Sequence, residues 1–225
     1  MSRTQFFLLG ALLAVIAAAS VSYLVLSERQ VAGVGEDASS TPNLTGQALF
    51  TDGEYGFSLR YPETDQTDYT FASFYHLPAN WSALALPDAT GTPIIAIIGY
   101  RTKSEHSYPR YFDAEVRIGA STDPKELAAC TTLRAENGET ALPDTVIGGT
   151  TWKAFAFQSA GMMQYVKGVS YRTVHEGVCI ALEQIETGSS YRDDPASAND
   201  IPDTVLEAKY HALDSVVKTF QFSRP

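Results

Sequence analysis

Phe6 to Leu26 is a run of 21 residues without a charge, and it constrains this chain more than any other feature. At 1.5 Å per helical residue it reaches roughly 30 Å, the thickness of a bilayer's hydrocarbon core. Arg3 and the amino terminus precede it, so the positive-inside rule keeps residues 1–5 in the cytoplasm and sends everything after the run outward. A cleaved secretory signal competes with this reading: Arg3 supplies a basic start, Phe6 to Ile16 an apolar core, and Ala17-Ala18-Ala19 a site for cleavage after Ala19. Cleavage there would leave an exported product beginning with the apolar stretch from Val21 to Leu26, which is unfavourable in water. The full spanning length favours an uncleaved signal-anchor, residues 6–26, and no cysteine follows it to carry a lipid. Both readings export the rest of the chain: a single-pass inner-membrane protein facing the periplasm or cell exterior, or a secreted one.

Residues 27–46 hold no aromatic side chain and few large aliphatics, and so read as a flexible stalk. The remainder, 47–225, suits one domain, with no internal repeat and no second linker. The chain's formal charge is −10; without the +1 of Arg3, the lone charge in residues 1–26, the exported part carries −11. Such a field repels phosphate backbones, so nucleic acid is excluded as a partner, and the charge itself serves solubility. Cys130 and Cys179 both lie in the exported part, where an isolated pair forms a disulfide. Closing that loop of about 50 residues stabilises the fold by roughly 4 kcal/mol on the chain-entropy model.

Along the domain, Phe57, Leu59 and Tyr61 alternate with small or polar residues up to Pro62, which marks a strand over 55–62. Ser82 to Leu86 and Pro93 to Ile98 are the next ordered pieces; the second is apolar on both faces, so Ile94 to Ile98 is expected as a central strand. Phe112, Ala114, Val116 and Ile118 alternate with Asp113, Glu115 and Arg117, which predicts one buried and one polar face. A short helix follows, capped by Ser121 or Thr122 with Pro124 in its first turn. Two hairpins come next, turning at Gly148-Gly149-Thr150 and at His175-Glu176-Gly177. Thr204 and Glu207 form a capping-box pattern ahead of a helix over 204–220 that buries Leu206, Leu213, Val217 and Phe220. Gln221-Phe222 can add a last strand. The class is α+β: a largely antiparallel β-sheet flanked by helices, after one amino-terminal transmembrane helix.

The opening Tyr55-Gly56-Phe57-Ser58-Leu59-Arg60-Tyr61-Pro62 resembles the YGFS-x-x-YP strand that begins PsbP-like domains. The close, Leu213 to Phe222 with its Thr219-Phe220-Gln221-Phe222, is similar to their final helix and terminal strand. The resemblance implies an α/β/α sandwich and, for bacterial members, export. Glu63-Thr64-Asp65 stands where those domains carry a tryptophan, and the middle section is longer. Members include photosystem subunits, a small-GTPase-binding protein and exported lipoproteins, and the resemblance carries over no active-site residue.

No GxSxG, HExxH or SxxK/KTG set is present, and Gly33-Val34-Gly35 lies in the stalk rather than between strand and helix. His76, His106, His175 and His211 are scattered, which is the pattern of surface histidines. Glu186, Asp193, Asp194, Asp200 and Asp203 gather in a stretch, 186–203, whose spacing matches no EF-hand and reads as a solvated acidic loop rather than a calcium site. Asp113, Glu115 and Arg117 share a strand face that is either solvated or a polar pocket with acid/base capacity. Tyr69, Tyr75, Trp81, Tyr108 and Tyr111 are candidates for a contact surface, against packing at the domain's own core edges. The expected function is a membrane-tethered binding module, without cofactor or metal, that contacts another envelope protein or wall component. The alternative is an extracytoplasmic hydrolase or metal-dependent enzyme with an Asp/Glu/His pocket.

Overall fold

The computed structural model describes residues 46–74, 77–86, 88–102, 111–189 and 202–223, all within one compact unit, Thr45–Pro225. The segments expected as an anchor, 6–26, and as a stalk, up to residue 45, lie outside the described residues, as do Tyr75, Tyr108, His76, His106, Asp193, Asp194 and Asp200. Among the described residues no helix is long and apolar enough to cross a membrane.

The architecture is mostly antiparallel β-sheet with a few short helices. β1 (Gln47–Asp52) and β2 (Phe57–Pro62) form a hairpin that β11 (Gln221–Phe222) joins on the other side of β2. The large sheet holds β3 (Gln66–Asp68), β4 (Thr92–Arg101), β5 (Phe112–Ser121), β6 (Glu139–Ala141), β7 (Thr145–Ile147), β8 (Thr150–Gly161), β9 (Gln164–His175) and β10 (Val178–Ser189). Its order is β3-β4-β5-β10-β9-β8-β6, with β7 also paired to β8. The helices are α1 (Pro124–Ala129), α2 (Asp203–Ala212) and α3 (Asp214–Lys218).

One face of the large sheet meets α3 and the small sheet. Ile95, Val116, Ile118, Ile180 and Leu182 pack there with Phe57, Leu59, Leu213, Val216, Val217 and Phe220. The Phe220 ring stacks on Phe57 at 4.9 Å and meets Trp152 edge-on at 5.1 Å. The opposite face is covered by the segment from Phe71 to Thr90 and by α1, and there Trp81, Cys130, Cys179 and Ala181 form a second cluster. Cys130 and Cys179 are joined in a disulfide, which ties α1 to β10.

Several expectations need correction. β4 is buried on both faces, but it lies next to the three-residue β3 near the sheet's margin; β5 and β10 hold the centre. β5 has no solvated face, since Glu115 and Arg117 are buried beneath the covering segment. The cap of α1 is Asp123, whose Oδ1 accepts from the Lys125 N–H at 2.8 Å. Ser121 instead accepts from the Asp123 N–H and donates to the Thr90 carbonyl. The carboxy-terminal helix is two helices broken at Leu213, with Pro202 rather than Thr204 at the amino-terminal cap, and Leu206 is half-buried. The break has a cause: Gln184 Nε2 donates to the Tyr210 carbonyl at 2.9 Å and to Asp214 Oδ1 at 2.8 Å. A polar side chain rising from β10 thereby holds the end of one helix and the start of the next.

Candidate binding groove

The ends of β8, β9 and β10 face α2 across a shared hollow. Beneath α2 lies a cavity of about 740 Å³, lined by Gln158, Ser159 and Ala160 of β8, Tyr165, Val166 and Lys167 of β9, Glu186 of β10, and Asp203, Leu206 and Glu207 of α2. An adjoining recess of about 330 Å³ shares Gln158, Lys167, Glu186 and Glu207, and extends to Tyr210 and His211.

Strand register builds the polar centre. Lys167 and Glu186 are direct cross-strand partners, and Tyr165 follows on the same face two residues earlier. Glu186 Oε1 accepts from the Tyr165 hydroxyl at 2.6 Å and pairs with Lys167 Nζ at 3.1 Å. The Glu186 side chain is only 4% exposed while that of Lys167 is 50% exposed, so the carboxylate is fixed and the ammonium head remains in reach of a ligand. Burial, and then the neighbouring Tyr171, pushes the Tyr210 phenol above its ordinary range, so it stays protonated at neutral pH. Glu186 therefore sits in β10, not in an acidic loop, and Asp203 opens α2. No group of three or more metal-ligating side chains forms among the described residues.

The charges of β5 do something else. Arg117 Nε donates to Glu115 Oε1 at 2.6 Å, and its Nη2 donates to the Ala72 carbonyl at 2.9 Å, with the guanidinium 4.9 Å from the Phe71 ring. Asp113 pairs with Arg101 at 2.7 Å. Around them lies a buried layer that sequence reasoning missed. Glu183 accepts from the Ser82 and Ser170 hydroxyls and from the Ala83 N–H, and burial raises its carboxyl pKa. Glu139 Oε2 accepts from the Arg134 N–H at 2.7 Å and from Arg172 Nη2 at 2.9 Å. Arg134 in turn donates to Glu126 and to the Leu84 carbonyl. These groups hold the covering segment onto the sheet.

Among the described candidates, Tyr69, Trp81 and Tyr111 do not share one exposed surface. Trp81 is fully buried, against its reading as a contact residue. Tyr69 is 56% exposed beside Phe50, while the Tyr111 ring lies 4.8 Å from Phe74, with burial raising its phenol pKa. His175 stacks on Phe222 and His211 lies 3.6 Å from Asp214, so the two described histidines serve different places.

No family model and no curated protein matches this chain. Among solved structures, the chain is similar to LpqN, described as involved in cell envelope biogenesis of Mycobacterium tuberculosis, at 12% identity over 79% of this chain and 91% of that one, with a TM-score of 0.33. So faint a likeness carries neither fold nor function across.

Proposed function

We propose that this chain is a membrane-tethered, extracytoplasmic binding module with a PsbP-like α/β/α architecture. In this reading residues 6–26 anchor it in the cytoplasmic membrane, and the groove beneath α2 engages another envelope protein or wall component. The groove carries the proposal: it is a preformed concavity of ligand-binding size, with a buried carboxylate at its centre and a half-exposed ammonium at its rim. The disulfide supports an oxidising compartment. The two resembling motifs support the PsbP-like assignment because they meet in space: Phe222 of the closing motif pairs with Phe57 of the opening one. Asp113, Glu115 and Arg117 are committed to ion pairs, which favours binding over acid/base chemistry at that face.

A photoreactive amino acid at exposed Gln158, compared with one at exposed Glu63 outside the groove, tests this in intact cells. Adducts from position 158 alone, lost when Glu207→Arg is added, are the expected result. Equal adducts at both positions, or none at 158, would remove the groove from consideration. Protease added outside should release the domain and leave a membrane-bound stub; complete protection until the inner membrane is broken would reverse the orientation.

A further inference from the structure

We infer that the outer edge of β1 pairs with β1 of a second copy of this chain, antiparallel and centred on Leu49, an inference independent of the groove. Hydrogen bonding defines the edge. The Glu63 N–H donates to the Gly46 carbonyl at 3.0 Å, and β1 runs beside β2 in unbroken register from Gln47↔Pro62 to Asp52↔Phe57. Antiparallel pairing alternates, so Ala48, Phe50 and Asp52 exchange hydrogen bonds with β2, while the N–H and C=O groups of Gln47, Leu49 and Thr51 point away from it. Among the described residues no strand meets them, because β1 ends the order β1-β2-β11.

An unpaired edge is a template for another strand, and proteins blunt such edges with lysine, proline, bulges or very short strands. The other edge strands of the two sheets, β3, β6, β7 and β11, have two or three residues each. β1 has six, with no lysine, proline or bulge and no charge before its last residue, and at its centre Leu49 is 54% exposed. The strand also fits its own copy. With Leu49 opposite Leu49, Gln47 meets Thr51, and all three outward-facing residues of each copy are engaged. On the other side of the strand Phe50, whose ring lies 6.4 Å from that of exposed Tyr69, meets the small Ala48. Asp52 falls opposite Gly46, so no carboxylate faces another.

Self-complementarity selects a second copy as the occupant, and the small contact sets where the pair forms. Six residues a copy is far below the roughly 20–30 a side of a stable complex, so pairing is weak in dilute solution. β1 begins about 20 residues after Leu26, so in the anchored reading copies sharing one membrane hold their edges within a stalk's reach of it. Confinement then supplies the concentration that the contact needs.

The test uses full-length chains in isolated membranes, oxidised with copper phenanthroline and resolved without reductant. Cys130 and Cys179 are already joined, so an introduced cysteine is the only free thiol. Leu49→Cys should crosslink to twice the chain's mass, since residues paired in this register stand about 5.5 Å apart at Cα, within disulfide reach. Val146→Cys, 68% exposed in the large sheet, is the collision control and should yield at least fivefold less. Gln47→Cys and Thr51→Cys should crosslink when co-expressed, and neither alone. Adding Leu49→Lys to that pair sets like charges opposite each other and should cut the yield fivefold, with the melting temperature unchanged because the Leu49 side chain is exposed. Equal yields at positions 49 and 146, or crosslinks at 47 or 51 alone as strong as the mixed one, overturn the inference. So does a Leu49→Cys adduct with a different protein in place of the dimer, which makes the edge a site for a foreign strand. Loss of the Gln158 adducts with the Leu49→Cys crosslink intact removes the groove and leaves the paired edge; the reverse result removes the edge and leaves the groove.

Discussion

A Cβ built on Gly119 would fall 1.9 Å from the carbonyl oxygen of Trp81. The backbone of the covering segment thus lies directly on β5, and Gly91 completes the slot, since a Cβ there would come within 2.3 Å of the Trp81 ring. This contact closes the face that carries Glu115, Arg117 and Glu183.

Gly119→Ala should therefore lift the segment around Trp81 and cost about 1–3 kcal/mol, the usual range for overpacking a filled site. Denaturant unfolding followed by tryptophan fluorescence measures it. A change below about 0.5 kcal/mol would mean that the segment does not rest on β5.

Arg172 is fully buried, pairs with Glu139 at 2.9 Å and lies 4.1 Å over the Phe155 ring. Arg172→Met should cost about 3–5 kcal/mol because it strands a buried carboxylate. Adding Glu139→Leu should recover part of that loss, since the stranded charge goes with it. Strictly additive losses in the double-mutant cycle would show that the two groups are not coupled.

Glu183 predicts a pH dependence with a definite sign. Burial raises its pKa in the fold, so its contribution to stability is fully present below the unfolded value of about 4.3 and is lost as pH rises through the higher folded value. The stability of Glu183→Gln should lack that fall. Urea unfolding from pH 4 upward should show the wild type losing ground to the variant; parallel curves would mean that Glu183 ionises as freely in the fold as in the unfolded chain.

The disulfide spans 49 residues. Cys130→Ala with Cys179→Ala should lower stability by up to about 4 kcal/mol on the chain-entropy model. Reductant should produce the same drop in the wild type and leave the variant unchanged. A wild-type melting temperature indifferent to reductant would contradict a stabilising bond.

Much of the large sheet was legible in the chain. A turn centred on Glu176-Gly177 pairs residues in order on either side, which sets Lys167 opposite Glu186 once the hairpin is recognised. The Met162-Met163 turn was not legible, because its signal is a backbone conformation that methionine does not advertise. The break at Leu213 was hidden for another reason: Leu206, Tyr210, Leu213 and Val217 keep helical spacing through it, and it depends on Gln184 from a distant strand.

By itself the sequence determined the alternation of β2 and β5, the pairing of its two cysteines, and the apolar run that reads as an anchor. Tertiary structure alone decided that Asp113, Glu115 and Arg117 would be bound up in ion pairs, and that the open concavity would lie across the sheet under α2. The physical reason is that periodicity records how polar each face of a strand is, not what covers it. Glu115 and Arg117 read as solvent-facing until a segment some 40 residues earlier in the chain lies over them and supplies carbonyls and aromatic rings in place of water.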